Sequence, residues 1–509
     1  LVSCMFTIRF PFTRPSLIIV EVVIIFSTIF WAVPLFIRVE PGERAVLTAA
    51  FGFYKEGAGS NGIATRYYYT RCFDSAAAVC RSLLGRAAEL TAHCRAQDEA
   101  WRARFAEDWQ YVLFSQAVRG YAASTQLLCD ESGRVYYNVG EGAYVWRNTM
   151  DLAVDHLAWE LKQNPWVVRN IIDLYIERYS YRDTVRFADR PGEEFPGGLT
   201  FTHDMGNYFT YSPAGYSGYE RETTPKDGCY LYMTTEELLN GVCVLAAYGL
   251  YTGDDDWMQA RRETAIALLE SLENRDDASP ERRDGVLKAQ STRCGPQGKE
   301  STTYDALDHS LMDSRGSVYI QTKTVAALML LGEFLSRTGE TAAAARAADM
   351  RQKAEQALER FYDAKRDCLR ANLYDSVDSL VLGAVEPLGV VALLGMTDRL
   401  SERLRELLCR HARACLQSGA CAEEETGGLR MSSTSNNTFV SKVALSLFVM
   451  GEVLEMEIPE APVAEMLHWC QVCAERLTIS DQVLVDKRQV IGGCYYPRII
   501  TAAFWMQDI

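Results

Sequence analysis

The chain has 509 residues, of which 48% are hydrophobic and 23% charged, ordinary globular values that exclude disorder as its main theme. The formal charge is -15, from 67 acidic against 52 basic residues. With no Lys/Arg-rich run, this balance argues against nucleic acid or an anionic membrane as partner and suits a neutral ligand such as a sugar.

The chain starts at Leu1, and Leu17 to Phe36 form an apolar stretch broken by Glu21 and Pro34. The stretch is long enough for a membrane span, but Glu21 and its richness in β-branched residues weaken that reading. It is too long for an ordinary signal peptide and lacks a small-residue cleavage site. Residues 1–38 are therefore expected to be an anomalous, mis-framed terminus whose Val/Ile-rich stretch forms strand or nothing fixed. A membrane anchor is the lesser alternative. Residues 39–72 read as short strands, with Arg44 to Phe53 alternating loosely after the turn pair Pro41-Gly42.

After Phe73 the apolar period becomes helical. Helices are expected at roughly 75–95, 97–125, 151–163, 165–180, 233–252, 255–274, 315–337, 339–361, 380–395, 398–418, 437–455 and 461–478, with a short helical piece after Pro497. They come in pairs with short connections. Asn164-Pro165 splits one pair, since Pro ends one helix and suits the start of the next. Gly253 and Gly339 follow two others, where a left-handed cap is needed. Between the pairs run long polar loops, 131–150, 182–232, 275–314, 364–379, 419–436 and 479–497. Short turns on one side and long loops on the other describe a mainly α fold over 73–509, an (α/α)6 toroid of helical hairpins with its function on the long-loop side. No repeat of fixed period points to a solenoid instead.

The 15 cysteines are scattered and odd in number, which fits a reducing, cytoplasmic compartment better than a disulfide framework. Cys470 and Cys473, with His468 and the Cys409/His411/Cys415/Cys421 group, would make a zinc site only if the two groups converged. Both segments read as amphipathic helix, so no metal and no cofactor is expected. A homodimer is left open.

Three loops concentrate acids, amides and aromatics. In the first, Glu141 sits between Gly140 and Gly142, followed by Tyr144, Trp146, Asn148 and Asp151. Aromatic faces stack on a sugar's C–H face while amides and carboxylates bind its hydroxyls. The second carries His203-Asp204 before a glycine, although such a histidine is ordinarily a satisfied loop residue. The third runs Glu300-Ser-Thr-Thr-Tyr-Asp305-Ala-Leu-Asp308. Tyr304 beside Asp305 gives a partly apolar setting that raises a carboxyl pKa, but Asp308 or Asp313 serves as well on pattern alone. A retaining glycosidase needs two carboxyls about 5–5.5 Å apart, and a toroid can bring Glu141 and Asp305 together.

The blocks Glu-Gly-Ala-Tyr-Val-Trp-Arg-Asn-Thr-Met-Asp, Asn-Pro-Trp-Val-Val-Arg-Asn, Phe-Thr-His-Asp-Met-Gly, Ser-Thr-Thr-Tyr-Asp-Ala-Leu-Asp, Ser-Ser-Thr-Ser-Asn-Asn-Thr and Tyr-Tyr-Pro-Arg, in that order, closely resemble glycoside hydrolase family 52, the bacterial β-xylosidases. The resemblance runs from about Val39 to the C-terminus. A looser one joins the chain to the family 116 β-glucosidases. The resemblance implies a retaining, exo-acting enzyme that removes non-reducing-end β-xylosyl units from xylo-oligosaccharides. Glu141 falls on its nucleophile and Asp305 on its acid/base. Asp151, His203 and Asp204 fall on sugar-binding positions, and Arg498 on a late hydroxyl-binding arginine. Tyr144, Trp146 and Asn148 lie in the first block. Family members are similar in carrying an N-terminal β-sandwich, of which 39–72 would be a remnant. The alternatives are a β-glucosidase of the related family and a truncated, non-catalytic toroid.

Overall fold

The computed structural model describes residues 5–9, 16–26, 29–39, 46–55, 63–207, 210–218, 233–294, 299–304, 307–311, 313–475, 480–494 and 496–508. It divides into two compact units, Leu1–Gly57 with Tyr67–Ala100, and Ala58–Arg66 with Trp101–Ile509.

In the first unit the described residues of the apolar stretch are strand. Ser16–Phe26 pairs antiparallel with Ile29–Val39 in unbroken register, Ser16 opposite Val39 and Phe26 opposite Ile29, as the run of Val and Ile favours. Met5–Arg9 pairs with Val46–Ala50. The helix Ala76–Gly85 starts at Ser75, whose hydroxyl accepts from the Ala78 N–H, the usual way to satisfy an orphan helix donor.

The hairpin expected from 75–95 and 97–125 is corrected to three helices, Ala76–Gly85, Ala87–Arg102 and Asp108–Ala123. A fresh start at Glu107, whose N–H donates to Gln110 Oε1 at 3.1 Å, separates the last from the others. Only Asp108–Ala123 lies wholly in the second unit.

That second unit is a closed ring of helices in two layers. The inner layer runs in order through Met150–Gln163, Thr234–Thr252, Val318–Arg337, the segment 382–393, Val440–Glu452 and Pro497–Trp505, each packed on the next and the last on the first. Outside them stand Pro165–Leu174, Asp255–Asp276, Thr341–Ala357, Glu402–Cys415, Glu460–Glu475 and Asp108–Ala123. Six inner and six outer elements make the (α/α)6 toroid. Its sixth sector joins Asp108–Ala123 to Pro497–Trp505, two segments from opposite ends of the unit, a pairing that no sequence-local hairpin rule could supply. Pro497–Trp505 is a 3-10 helix rather than an incidental turn.

Burial separates the layers. Val318–Arg337 is buried almost throughout; it is long and apolar enough to cross a membrane, and 89% of its apolar window lies inside the ring. Glu402–Cys415 buries only Leu404, Leu407, Leu408, His411, Ala412, Ala414 and Cys415, the one-face spacing of a surface helix. His411 is structural: Nδ1 accepts from the Leu369 N–H at 3.2 Å and Nε2 lies 2.8 Å from the Val381 carbonyl.

The turns leaving the inner helices are short. Gly253 and Gly339 take positive φ, 65° and 81°, and Pro165 opens its helix. The connections entering the inner helices are long and carry small sheets, such as Ser180–Arg186 with Phe195–Phe201 and Gln290–Ser291. The N-terminal ends of the inner helices therefore gather at the loop end of the ring. Several expected helices are shorter, and two of them break within the expected span. Residues 165–180 stay α-helical only to Leu174 before a π-turn over Tyr175–Tyr179. The stretch 380–395 breaks into 3-10 turns before Gly389–Leu393, because Pro387 has no N–H to give the preceding turn.

Candidate active site

Glu141 follows the strand Val135–Val139 in a loop clasped on both sides. Its own φ is -78°, and the strain falls on neighbours instead: Gly142, Val145 and Asn148 have φ of 56°, 64° and 48°. A β-branched residue in the left-handed region costs about 1–3 kcal/mol and persists only when its surroundings dictate it. Here they do. The Glu141 N–H donates to the Trp146 carbonyl at 2.7 Å, that of Asn148 to Val139 at 2.7 Å, and that of Arg147 to Gly206 at 2.9 Å.

The Glu141 carboxyl is buried at 8% exposure. Tyr496 donates its hydroxyl to Oε1 at 2.6 Å, while Oε2 has no hydrogen-bond partner among the described residues. Burial and the nearby charge of Asp151 push this carboxyl up to about 7, against the pull of His203, Tyr496 and Arg498.

Asp151 lies in the first turn of Met150–Gln163. Its Oδ2 accepts from Arg498 Nη2 at 2.7 Å and from the Thr303 hydroxyl at 3.1 Å, while Oδ1 has no partner among the described residues. Burial works to raise this carboxyl, but Arg498 and His203 outweigh it and hold it below the usual range. Arg498, fully buried in the first turn of Pro497–Trp505, also sets Nε 3.2 Å from Asp155 Oδ2. Lys442 Nζ lies 3.0 Å from both Asp155 Oδ1 and Glu386 Oε1. Of these groups Asp151 stands in the first turn of its inner helix, where the helix dipole favours negative charge.

His203 Nδ1 lies 3.0 Å from Asp204 Oδ2. Burial would lower this imidazole, but Asp204 and Asp151 push it up to about 10, so it stands as a cation at neutral pH. Asp204 is fully buried, and its Oδ1 accepts from the N–H groups of Gly206 and Gly218 at 2.7 Å each. It orients His203 rather than facing a ligand.

The remaining sequence candidates take several places. Asn148 spends its amide on the loop: Oδ1 accepts from the Val139 N–H at 2.6 Å and Nδ2 donates to the Tyr137 carbonyl at 3.1 Å. Trp146 is buried against Gly218, where a Cβ would come within 2.5 Å of its ring. Tyr144 is 40% exposed; it meets the Tyr496 ring edge-on and donates to Gln482 Oε1 at 2.5 Å. Asp305 lies outside the described residues. Of its rivals, Asp308 accepts from the hydroxyls of Ser310 and Ser432 at 2.6 Å each and from that of Thr434. Burial opposes its ionisation, but these hydroxyls hold its carboxyl low, which suits no proton donor. Asp313 accepts from Gln290 at 2.8 Å and lies 3.3 Å from Lys299.

Sequence reasoning missed Tyr496, Thr303, Asp155, Lys442 and Glu237 as site neighbours. Tyr496 and Thr303 stood inside recognised blocks. The others read as ordinary helix residues, and only their depth distinguishes them.

The closed helical ring thus brings buried carboxylates, a histidine and an arginine together at its loop end. Residues 27–248 match Glycosyl hydrolase family 52. A β-xylosidase of Geobacillus stearothermophilus is 35% identical over 485 residues, covering 93% of this chain and 67% of that protein. A second from the same organism is 38% identical over 255 residues, 50% of this chain and 40% of the other. The chain belongs to glycosyl hydrolase family 52. Among solved structures it is similar to a rhamnosidase from Klebsiella oxytoca with rhamnose bound, at 12% identity and TM-score 0.49, over 79% of this chain and 64% of that one. It is also similar to a sugar epimerase from a ruminal bacterium, at 13% identity and TM-score 0.47, over 79% and 99%.

Proposed function

We propose that this glycoside hydrolase is a retaining, exo-acting β-xylosidase working on xylo-oligosaccharides. Glu141 attacks the anomeric carbon of the terminal xylosyl unit while Asp305 protonates the departing oxygen. Asp305 then takes a proton from the water that releases xylose from Glu141. The observation that supports this most is the Glu141 carboxylate itself. Tyr496 fixes one oxygen and the other has no partner among the described residues, as an attacking carboxylate requires. Asp151, Arg498 and His203 surround it with the donors and acceptors a sugar needs. The kinship to two β-xylosidases supports the choice of glycon.

The test is hydrolysis of an aryl β-xyloside followed by NMR, beside the matching aryl β-glucoside. β-Xylose is expected as the first-formed anomer. First-formed α-xylose would overturn the double displacement, and faster cleavage of the glucoside would replace the xylosidase reading with the β-glucosidase one.

A further inference from the structure

Two adjacent glutamates open the inner helix Thr234–Thr252, and the ring uses them differently. Glu236 is fully engaged: it accepts from the Thr303 N–H at 2.8 Å, the Tyr319 hydroxyl at 2.7 Å and Lys323 Nζ at 2.9 Å. These bonds tie a loop and the next inner helix together. Glu237 is as deeply buried, at 1% exposure, yet only its Oε2 is occupied, by Asn240 Nδ2 at 3.0 Å one turn along its own helix. Its Oε1 has no partner among the described residues.

A buried carboxyl oxygen left without a partner is costly, so what lies around it matters. One polar atom each of Asp151, His203 and Glu237 lie within 4.8 Å of one another. The Oδ1 of Asp151 is likewise unpaired among the described residues. Burial and the nearby charge of Asp151 push the Glu237 carboxyl well up, toward its protonated form. A hydroxyl between the two carboxyls could give its one proton to Asp151 and accept one from Glu237, at about 2.7–2.8 Å from each. A divalent cation held by all three groups would need the neutral imidazole of His203. Burial favours that form, but Asp204 and Asp151 instead push the imidazole up to about 10, which favours its cationic form. The site therefore suits a neutral group that both accepts and donates, which is what a sugar hydroxyl does.

We propose that Glu237 is a glycon-binding residue, its Oε1 joining Asp151 Oδ1 and His203 around one ring hydroxyl of the non-reducing-end sugar. The inference rests on the proposed function for the identity of that sugar as xylose. It adds the start of helix 234–252 to a sugar site otherwise built from the 140–151, 203–204 and 496–498 segments.

The test is a cycle between residue and hydroxyl. Wild type, Glu237→Ala and the shape-conserving Glu237→Gln are titrated calorimetrically with methyl 1-thio-β-xyloside and its 2-, 3- and 4-deoxy analogues. Hydrolysis of an aryl β-xyloside by the wild type is measured alongside. Glu237→Ala should weaken the parent ligand about 10–100-fold. It should weaken one deoxy analogue less than about 3-fold, because that analogue lacks the partner hydroxyl. Glu237→Gln, which keeps an acceptor oxygen and stands in if the alanine variant does not fold, should lie between. Equal loss on the parent and all three analogues by both variants would overturn the proposal and assign Glu237 to the fold. If the wild type hydrolyses aryl xylosides in that case, the xylosidase reading survives. A wild type that neither binds nor cleaves xylosides removes that reading, and the proposed ligand with it.

Discussion

The outer helix Glu402–Cys415 and the inner helix Val440–Glu452 follow each other in the chain and handle charge in opposite ways. The outer one keeps Arg403 and Arg410 at the surface, where they pair with Glu359, Glu406 and Asp367. Such exposed pairs contribute little. The inner one is buried from Val440 to Met450 and still carries Lys442, caged by Asp155 and Glu386. Burying that charge is costly, and apolar residues of similar volume would often stabilise as well or better. The difference teaches where to look: in this ring, polar groups kept inside the inner layer near its loop end belong to the site or to its supports.

The comparison is sharpened most by removing the group the inner layer surrounds. Glu141→Ala should lower kcat on every β-xyloside by about 10⁴-fold or more, since no glycosyl intermediate can form. Added azide should then yield the α-xylosyl azide, and turnover near wild type would refute the assignment.

Asp305→Ala should cost orders of magnitude on xylobiose but much less in the glycosylation of an aryl xyloside with an acidic phenol, which leaves unaided. Azide should speed release and give the β-azide. Asp308→Ala should lack this leaving-group dependence, because its carboxylate serves the hydroxyls of Ser310 and Ser432. The reverse outcome would exchange the two acids.

Lys442→Met should destabilise by about 3–5 kcal/mol in chemical denaturation, taking from Glu386 its buried cation and leaving Asp155 only Arg498. The triple variant Lys442→Met, Asp155→Asn, Glu386→Gln should recover much of this. If the single change costs nothing, the layers do not differ as described.

Tyr496→Phe bears on pH. As the proposed nucleophile Glu141 would have to be ionised, and its carboxyl is pushed up to about 7, so kcat/KM for the free enzyme should fall as pH drops below about 7. Tyr496 stabilises the ionised form, so losing its hydroxyl raises the Glu141 pKa and moves the acid limb to higher pH. A limb that stays put would remove Tyr496 from the site. The stability sign follows the same shift. The raised carboxyl disfavours the folded state as pH climbs from about 4.5 through 7, so Glu141→Gln should raise Tm more at pH 8 than at pH 5.

Arg346→Ala, on the outer helix Thr341–Ala357, removes a pair with Glu273 at 2.6 Å. Its cost should stay within about 1 kcal/mol.

Much of this ring was legible in the sequence, and the reasons are local. Pro165, Gly253 and Gly339 punctuate hairpins by backbone rules that hold wherever they occur, and the long helices show their period. The sixth sector was not legible, because Asp108–Ala123 and Pro497–Trp505 meet through packing across the whole unit. The small sheet over Ser180–Arg186 and Phe195–Phe201 read as loop, since Gly197, Gly198 and Pro196 mask its alternation. In the site, Glu141 announced itself by its glycines and its block. Asn148 looked like a sugar ligand, but only the structure shows its amide bound to backbone on both sides. Glu236 and Glu237 are indistinguishable as letters; which one is saturated depends on Thr303, Tyr319 and Lys323, residues more than sixty positions away.

Pro497–Trp505 completes the inner layer, and a ribosome reaches it after every other sector has emerged. Tyr496 and Arg498, which grip Glu141 and Asp151, are joined to them across 355 and 347 positions. Until that stretch is released, the growing protein carries an open wedge flanked by the apolar sides of Val440–Glu452 and Asp108–Ala123. Such a gap invites a chaperone, or the same segment of a second copy. A product cut short before Tyr496 lacks the hydroxyl bound to Glu141 and the guanidinium bound to Asp151, and among the described residues only the Thr303 hydroxyl still donates to Asp151.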